Sequence, residues 1–367
     1  MRSQNEEPVG SRRARGGLRR SSAAGPSGER AAFADPSAEG GQPLVSVVIP
    51  AFNNAPTIGE TLQTAREQTY RPLEIVVVDD GSTDATAEVV ARHMLHDPRI
   101  RLIRQKNSGV AAARNRGVAE SSGDFIAFLD ADDLWRPAKI ARQMEALGRC
   151  GEDTAVVYAW SCLIDEDDRI LASGGHQVLE GDVFAAMCRR DFIGHGSAAL
   201  VRKSAFLEVG GCDSSLCAGG FRAGDDTRLH LALAERYRFA LAPEELVGYR
   251  LRRGSGADHH LEVAALHRMA VAPFRVRHPQ YAPLMDLQLK ELLLWLCGRA
   301  LRSGSYRSAL ALIFEIARLD PLFAAYALIF APVRPLVMRA RRFRSGAAKR
   351  WSDGAADDAS GASRVLG

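Results

Sequence analysis

Three carboxylates within four positions stand near the middle of the chain, directly after a run of apolar residues. The run Phe125–Leu129 predicts a strand that is buried on both faces, and Asp130, Asp132 and Asp133 follow it. Because adjacent carboxylates repel one another, the group needs a positive partner, and Mg²⁺ or Mn²⁺ prefers such oxygen ligands. This interpretation predicts a metal site that is open to substrate phosphates. The alternative is a solvated acidic turn that caps the next helix.

Two further acidic pairs lie at or near the ends of other predicted elements. Asp79 and Asp80 follow the apolar run Leu73–Val78, and Asp225 and Asp226 stand at the start of a predicted helix. In open α/β sheets, ligands bind outside the carboxyl ends of the strands. Three acidic groups at one such edge suit a pyrophosphate-bearing substrate held through a metal, with one carboxylate free to accept a proton.

The elements that must position these groups alternate between strand and helix. This spacing predicts βαβ units and therefore an α/β fold, with a largely parallel sheet flanked by helices. The first predicted strands are Leu44–Ile49, Leu73–Val78, Ile100–Ile103 and Phe125–Leu129. Later segments predict strands at Ala155–Trp160, Ser197–Val201 and Tyr237–Leu241, and helices near Glu262–Arg277, Leu284–Arg302 and Tyr306–Leu319.

The composition is that of a soluble globular protein, with 25% charged and 46% hydrophobic residues. A formal net charge of +4 over 367 residues is too small to indicate a nucleic-acid partner, and none is expected. The six cysteines form no CxxC pair, so we expect the reduced thiols of a cytosolic enzyme. The start of the chain lacks the apolar core that a signal peptide needs.

Composition also divides the chain into four segments. Residues 1–42 are rich in Arg, Ser, Gly and Ala without periodic apolar positions, which predicts a disordered basic tail. Residues 43–256 carry the strand–helix pattern and are expected to form the domain that holds the acidic groups. Residues 257–345 are predicted to be a helical C-terminal region, and residues 346–367 a second disordered tail.

The last apolar stretch, Pro321–Met338, is close to the ~20 residues that a membrane span needs. Pro332, Arg334 and Pro335 interrupt it, and a run of basic residues follows. One interpretation is a helix that lies on an anionic membrane surface, which would place a cytoplasmic protein at the cytoplasmic face of the inner membrane. The other interpretation is a core helix of the C-terminal region with a solvated basic tail. The sequence leaves both open.

Four segments together resemble a known family. Val45–Asn53, Val77–Asp84, Asn107–Asn115 and Phe128–Asp133 occur in the order and at the spacing of family 2 glycosyltransferases of the GT-A fold. The resemblance covers about residues 44–255. It implies an inverting, metal-dependent enzyme that moves a sugar from a nucleotide-diphosphate sugar, expected to be UDP-linked, to a hydroxyl of a glycan or lipid-linked acceptor. Such transfers belong to cell-surface polysaccharide biosynthesis.

The resemblance also implies a role for each matching residue of the donor site. Asp79 and Asp80 would hold the base, and Asp132 together with Asp130 would bind the divalent metal that bridges the diphosphate. Asp133 is a further candidate ligand. The full set implied for nucleotide-sugar binding is Pro50, Ala51, Phe52, Asn53, Asp79, Asp80, Arg114, Asp130, Asp132, Arg250 and Arg252. The last two lie in a segment that resembles the family's closing loop, which brings positive charge to the diphosphate.

In the family, the general base is the second member of an acidic pair that opens a helix after the acceptor loop. Here that position is Asp226, and both Asp225 beside it and His195 are candidates for the acceptor site. The chain departs from the family pattern, because Asp-Asp replaces the more typical Glu-Asp and Thr227-Arg228 replaces an aromatic-acidic pair. The loop Cys217–Phe221 also looks longer than usual. The alternative role for the acidic pair is N-capping of the helix.

Two other functions stay open on the sequence. A nucleotidyltransferase of similar fold would need a Gly-rich loop with a lysine after the first strand, and that position holds Ala51–Asn54. An inactive glycan-binding or scaffold protein would not need the pair Asp130 and Asp132. Gly194–Ala199 matches a GxGxxA dinucleotide fingerprint, but it precedes a predicted strand instead of following one. The pair His259-His260 predicts a surface loop and not a metal site.

Overall fold

The first half of the chain alternates short buried strands with helices, as the sequence predicts. Each apolar run forms a strand because helices cover both faces of the sheet and leave no face for water. The computed structural model describes residues 41–217, 225–251, 259–330 and 350–351, all within one compact unit. In chain order this half contains β1 (Val45–Ala51), α1 (Ile58–Arg66), β2 (Leu73–Asp79), α2 (Thr86–Met94), β3 (Ile100–Arg104), α3 (Val110–Glu120) and β4 (Phe125–Phe128).

The second half completes the sheet and then becomes entirely helical in its described part. The sheet is completed by β5 (Leu134–Trp135), α4 (Lys139–Leu147), β6 (Thr154–Ile164), β7 (Ile170–Ser173), α5 (Phe184–Arg189), β8 (Ala199–Arg202), α6 (Lys203–Glu208), α7 (Asp225–Arg236) and β9 (Arg238–Arg250). The C-terminal helices are α8 (His260–Arg277), α9 (Ala282–Arg302), α10 (Tyr306–Leu319) and α11 (Pro321–Phe330).

The described strands form one sheet in the order β3-β2-β1-β4-β8-β6-β9-β5, and β7 pairs with β6. Strands β3, β2, β1 and β4 are parallel, as are β6 and β9, whereas β8 runs antiparallel to both β4 and β6. The predicted α/β class with flanking helices is confirmed. Because β1, β2 and β4 point the same way, the residues that follow them share one edge of the sheet.

The other side of the sheet has longer and more numerous strands than the sequence predicts. The expected strand Tyr237–Leu241 is only the beginning of β9, which continues to Arg250. Pro243–Glu245 obscures this continuation, because polar and proline residues interrupt the apolar pattern. Strand β5 has two residues, too few for any periodicity to be recognised, and it pairs antiparallel with β9.

Helices α8 to α11 build a hydrophobic cluster of their own beside the sheet. Leu293 of α9 and Leu312 and Ile316 of α10 are fully buried at its centre. The cluster is attached to the sheet domain in part through Arg189 of α5, whose guanidinium donates to both oxygens of Glu291 at 2.7 and 2.8 Å. The helical C-terminal region that the sequence predicts therefore packs through α9 onto the domain that carries the acidic groups.

Several predicted segments lie partly or wholly outside the described residues. Of the apolar stretch Pro321–Met338, only Pro321–Phe330 is described, as α11, and its Ala324 is buried in the helical cluster. Residues 1–40, residues 331–349 with the basic run, and the predicted boundary at 256/257 are not described. Within the described ranges, no helix combines the length and the apolar character needed to cross a membrane.

Candidate active site

The acidic turn after β4 is held in place by one buried serine. Asp133 N–H donates to the Asp130 carbonyl at 3.0 Å, which closes the turn at the end of the strand. Ser197, just before β8, accepts the N–H of Asp130 at 3.0 Å and donates its hydroxyl to Asp133 Oδ2 at 2.6 Å. The turn is thereby fixed to the neighbouring strand, and its carboxylates have defined directions.

Arg114 of α3 joins this turn to the acidic pair at the start of α7. Its Nη2 donates to Asp130 Oδ1 at 2.8 Å, and its Nη1 donates to Asp225 Oδ2 at 2.8 Å and to Asp226 Oδ1 at 2.7 Å. The guanidinium is 3% exposed, so solvent screens these contacts little. We call Arg114 and these three carboxylates the arginine clasp. One positive charge faces three carboxylates, and the surplus negative charge favours a cation nearby.

A glycine makes the clasp possible. Gly196 lies so close that a Cβ atom at this position would stand 2.9 Å from Arg114 Nη2 and 3.1 Å from Asp226 Oδ1. Any larger residue would push apart the guanidinium and the carboxylate that it holds. Gly196 belongs to the GxGxxA match in the sequence, and that segment forms a short 3₁₀ turn before β8. Its glycine therefore serves close packing against the clasp, since the phosphate-binding helix of a dinucleotide fold does not follow it.

Asp226 has the electrostatic character of a group that can accept a proton near neutral pH. Burial, the largest effect, and the neighbouring carboxylates of Asp225 and Asp130 together raise its pKa to about 7, against the lowering effect of Arg114. Its side chain is 23% exposed, whereas that of Asp225 is 6% exposed. Of the pair, Asp226 is the member that a substrate can reach. The assignment of Asp226 as the base stays a prediction.

A histidine that the sequence did not single out stands one turn further along α7. His230 Nδ1 lies 3.1 Å from both oxygens of Asp191, and Thr227 Oγ1 donates to Asp191 at 3.1 Å. Burial lowers the pKa of His230, but Asp191 outweighs this effect and raises it overall. Because His230 follows Asp226 by four residues, both share one helix face. That spacing was the available sequence signal for a histidine behind the candidate base.

Asp130 and Asp132 fit a divalent cation that draws its other ligands from the substrate. Their side chains follow β4 two residues apart, and Asp130 is 26% exposed and Asp132 partly exposed. Hard cations of this type commonly take one or two carboxylates and complete their shell with phosphate and water oxygens. Among the described residues, no group of three His, Cys, Asp or Glu side chains could hold a metal by itself.

Asp133 fits such a role poorly. It is fully buried, and it accepts the Ser197 hydroxyl and, at 3.0 Å, the backbone N–H of Arg250. Burial raises its pKa well above the usual range, and the charges of Asp130 and Asp132 raise it further. An enclosed carboxyl group whose two oxygens already accept hydrogen bonds anchors the turn between β4 and β9 and offers little to a cation.

Arg250 contacts protein oxygens in the structure, which differs from its predicted place beside a diphosphate. Its guanidinium is 2% exposed, donates to the Asp132 carbonyl at 2.7 Å and to Glu60 at 3.1 Å, and forms an ion pair with Asp168 at 2.5 Å. These contacts hold the acidic turn against α1 and the β6–β7 hairpin. Its partner in the prediction, Arg252, lies outside the described residues, so a basic contact to the diphosphate stays a prediction for Arg252.

Asp79 and Asp80, predicted to hold a nucleotide base, are occupied by hydrogen bonds from the protein, and their contact with a base stays a prediction. Asp80 is 2% exposed and accepts three hydrogen bonds, each at 2.8 Å, from Gln105 Nε2 and from the N–H groups of Ser108 and Gly109. Asp79 is fully buried and accepts Ser82 N–H at 2.9 Å and Arg104 Nε at 3.1 Å. Both carboxylates fix the loops after β2 and β3, and a contact with a base would have to be additional.

The other donor residues predicted after β1 form a loop that is tied to the loop after β2. Pro50 and Ala51 are buried within β1, whereas Phe52 and Asn53 are partly exposed. Asn53 has a φ of 52°, and its Oδ1 accepts the N–H of Thr83 at 2.8 Å. This hydrogen bond joins the two loops at the edge of the sheet. Their contact with a nucleoside stays a prediction.

His195 lies between the acidic turn and a small cavity. Its Nε2 is 2.7 Å from Ser161 Oγ, its ring stacks on Tyr249 at 4.6 Å between centroids, and its Nδ1 lies 3.8 Å from Asp133 Oδ2. Burial lowers its pKa to about 4, so the ring is neutral at pH 7.

His260, predicted to be on the surface, is instead 2% exposed at the start of α8.

Two cavities have very different surroundings. The larger, about 460 Å³, lies at the opposite edge of the sheet beside Pro43, Tyr70 and Met144, far from every acidic group of the site. The smaller, about 160 Å³, is lined by Ser161, His195 and other residues on the acidic side. The smaller cavity is therefore the better candidate for a substrate site, although its volume is lower.

Comparison with known sequences finds a family match for the central part of the chain. Residues 46–210 match the family described as Glycosyl transferase family 2. A chondroitin synthase of Escherichia coli is 36% identical over 132 residues, which are 36% of this chain and 19% of that protein. The putative teichuronic acid biosynthesis glycosyltransferase TuaG of Bacillus subtilis is 37% identical over 105 residues, 28% of this chain and 42% of that protein. The match thus spans less than half the length of either relative.

Two solved structures share the fold. TarS 1–349 of S. aureus, in complex with UDP-GlcNAc, superposes with a TM-score of 0.57 at 13% identity over 80% of this chain and 89% of that chain. The mannosyltransferase PcManGT of Pyrobaculum calidifontis, in complex with GDP-Man and Mn²⁺, gives 0.50 at 23% identity over 81% and 88%. Residues 46–210 therefore match glycosyl transferase family 2, and the chain shares the GT-A fold of these two structures.

Proposed function

We propose that this protein transfers a sugar from a nucleotide-diphosphate sugar to a hydroxyl group of a glycan or lipid-linked acceptor, with inversion, in the synthesis of a cell-surface polysaccharide. The observation that carries the proposal is the arginine clasp. In the clasp, one guanidinium donates through Nη2 to Asp130, at the predicted diphosphate side, and through Nη1 to Asp226, the candidate base. Donor and acceptor chemistry would therefore meet beside Arg114.

In the proposed reaction, a bond forms between the acceptor oxygen and the anomeric carbon while the bond from that carbon to the diphosphate breaks. The proton of the acceptor hydroxyl passes to the Asp226 carboxylate, whose Oδ1 is oriented by Arg114 at 2.7 Å. A single displacement from the opposite face inverts the anomeric centre. Asp132 and Asp130 would hold a divalent metal, which would neutralise charge on the leaving diphosphate when bound.

The donor is proposed to be UDP-linked. Support comes from the fold that the chain shares with TarS, whose structure contains UDP-GlcNAc, while the structure of PcManGT contains GDP-Man. The relatives named for chondroitin and for teichuronic acid biosynthesis support a polysaccharide product. Because the identities to the solved structures are low, the base of the nucleotide is the first property to test.

The test is release of nucleoside diphosphate by the full chain from a panel of UDP-, GDP- and dTDP-sugars with Mn²⁺ or Mg²⁺. We expect UDP release that stops when the metal is chelated. Release of pyrophosphate from a sugar phosphate and a nucleoside triphosphate would instead identify a nucleotidyltransferase. Glycan binding with no turnover of any donor would identify the inactive binding protein.

A membrane surface is the proposed location of the acceptor, at the cytoplasmic face of the inner membrane. Helix α10 supports this, because Tyr306, Leu310 and Phe314 recur every four residues along it and are 66%, 57% and 68% exposed. Arg307 and Arg318 flank this row and are themselves exposed. An apolar row with aromatic residues beside arginines suits the interface of an anionic bilayer. The contact is thus proposed for α10, one helix before the stretch that the sequence indicated.

Vesicle sedimentation tests this location. Changing Leu310 and Phe314 together to serine should reduce partition into phosphatidylglycerol-containing vesicles at least about tenfold, since each side chain contributes 1.5–3 kcal/mol on burial. Changing Leu95 and Val276, which are 82% and 81% exposed elsewhere, should leave partition unchanged. Equal partition of the two double variants would contradict the assignment of α10.

A further inference from the structure

Strand β6 departs from regular pairing beside His195. Its register with β9 shifts between Ala159 and Trp160 and again between Trp160 and Ser161. In a regular strand, neighbouring side chains point to opposite faces, so Trp160 and Ser161 could not line the same space. A bulge re-aims side chains in this way, and bulges are common beside active sites. Both residues line the 160 Å³ cavity.

The walls of this cavity are aromatic and are held by their own contacts. Tyr249 is stacked on His195, with ring centroids 4.6 Å apart at an angle of 30°. Trp160 stacks on His176 at 4.3 Å, and its indole N–H donates to the Gln177 carbonyl at 3.0 Å. Both rings are therefore fixed before anything binds. Preformed apolar faces of this kind lower the entropy cost of ordering a ligand.

The polar group of the cavity is the pair Ser161 and His195. The Ser161 hydroxyl oxygen lies 2.7 Å from His195 Nε2. A ring N–H on Nε2 would leave the serine hydroxyl proton free to donate to a ligand oxygen. The opposite tautomer would leave the serine oxygen as an acceptor for a ligand hydroxyl. Either way the cavity offers one well-oriented hydrogen bond, as a hydroxyl-bearing ligand requires.

The cavity adjoins the reaction centre. His195 precedes Gly196, whose missing Cβ would stand 3.1 Å from Asp226 Oδ1. On the other side, His195 Nδ1 lies 3.8 Å from Asp133 in the acidic turn. A group held against Tyr249 and Ser161 would thus lie beside the segment that packs on Asp226, the carboxylate proposed to take the acceptor's proton.

We propose that this cavity binds one uncharged pyranose ring of the acceptor glycan, an inference that rests on the proposed function. Among the described residues, those that line the cavity include no Asp, Glu, Lys or Arg side chain. An acidic sugar would therefore lose its hydration without gaining a cation partner. The volume is below the roughly 300–1,000 Å³ of sites for drug-sized ligands. One sugar ring fits that scale, with Trp160 and Tyr249 against its C–H faces and Ser161 on a hydroxyl.

A matched pair of probes tests the charge of the ligand on the unmodified full chain. Methyl glucoside and methyl galactoside are titrated beside methyl glucuronide and methyl galacturonide, which differ only by a carboxylate at C6. Binding is followed by tryptophan fluorescence and by saturation-transfer NMR. At least one neutral ring should bind at least about tenfold more tightly than its acidic counterpart, a difference of about 1.4 kcal/mol. Equal or tighter binding of the acidic rings, or no binding of any neutral ring, would overturn the proposal.

Two variants test whether the ring binds in this cavity. Ser161→Ala should weaken binding of the neutral ring by about 3- to 10-fold, the usual contribution of one hydrogen bond, and the affinity for the nucleotide should stay the same. Ser303→Ala, an exposed serine of the α9–α10 turn, is the matched control and should have no effect. Trp160→Phe should remove the fluorescence change and retain the NMR signal. Wild-type affinity in Ser161→Ala, or an unchanged fluorescence response in Trp160→Phe, would place the ring elsewhere.

Failure of this inference can be told from failure of the proposed function. If the chain releases nucleoside diphosphate from a sugar nucleotide but no neutral ring binds beside Trp160, the acceptor inference is wrong and the function stands. If no sugar nucleotide is turned over with any metal, the proposed function is wrong and the inference falls with it.

Discussion

Two acidic clusters lie at the same edge of the sheet, and they differ in what satisfies their charge. Asp79 and Asp80 are buried and accept five hydrogen bonds from protein donors, three of them on Asp80. Asp130, Asp225 and Asp226 share the single guanidinium of Arg114. The first cluster is complete within the protein, whereas the second keeps surplus negative charge and partial exposure at Asp130 and Asp226.

The difference separates structural from chemical carboxylates. In the sequence both clusters are pairs of aspartates after an apolar run or at the start of a helix. A carboxylate whose lone pairs are filled by backbone N–H groups orders a loop and has little capacity left for a ligand. A carboxylate held by a shared arginine can exchange that contact for a metal or a proton. We therefore expect substitutions in the two clusters to have opposite signatures.

The largest expected effect is at Asp132. Asp132→Asn should abolish turnover and remove the dependence on Mn²⁺ or Mg²⁺, because a neutral amide is a much weaker ligand for a hard cation. Metal titrations of the rate of nucleoside diphosphate release measure both properties. Asp133→Asn, one residue away, should retain a metal requirement, since Asp133 is already buried and its pKa is raised well above the usual range. Near-normal, metal-dependent turnover in Asp132→Asn would contradict the assignment.

Asp226→Asn is expected to lower kcat by about 10²–10⁴-fold, the usual worth of positioned proton transfer. The affinity for the nucleotide should change little, because the substitution keeps the size of the side chain and the contacts of the donor side. Asp225→Asn is the matched control and should be milder, since Asp225 is enclosed and serves to hold Arg114. A larger loss in Asp225→Asn would move the base by one residue.

Gly196→Ala tests the clasp without changing any charge. The added Cβ would stand 2.9 Å from Arg114 Nη2, so the guanidinium or Asp226 must shift by a few tenths of an ångström or more. We expect kcat to fall by about 10- to 100-fold, because small misplacements at a reacting centre are costly. Gly298→Ala within α9, where the nearest atom is a flexible Arg302 nitrogen at 3.5 Å, should leave kcat unchanged. Equal activity of the two variants would show that the clasp tolerates rearrangement.

The smallest effect on chemistry is expected at Asp80. Asp80→Asn replaces an acceptor of three N–H groups, so the free energy of unfolding should fall by about 1–3 kcal/mol. The kcat of the folded fraction should stay within about twofold of wild type. Chemical denaturation and steady-state kinetics on the same preparation separate the two properties. A variant that is as stable as wild type but inactive would instead show that Asp80 contacts the donor directly.

The parallel half of the fold could be predicted because its signals are local. The runs at Leu73–Val78 and Phe125–Leu129 are short, apolar and bounded by turn residues, and each forms a strand at nearly the predicted positions. The prediction fell short where a strand departs from the rule, as in β9, which continues through Pro243–Glu245. It also missed β5, which exists only because β9 extends far enough to pair with it.

The site could be predicted as a set of residue types but not as a set of partners. Arg114 lies 111 residues before Asp225 in the chain, and no local pattern indicates that the two form a salt bridge. Arg250 was predicted to lie near a diphosphate because its segment resembles the family's closing loop, and the fold surrounds its guanidinium with carbonyl and carboxylate oxygens. Long-range contacts of this kind decide which charges are left for chemistry, and they follow from topology alone.

The pH dependence of kcat/KM is the measurement that tests the central claim most directly, because it reports the protonation of the free enzyme. Asp226 must be ionised to accept a proton, and its pKa is raised to about 7. The wild-type enzyme should therefore lose activity tenfold per pH unit below about pH 7, and the residual rate of Asp226→Asn should show no such limb. A limb near pH 4, or a limb near pH 7 that persists in Asp226→Asn, would contradict the account.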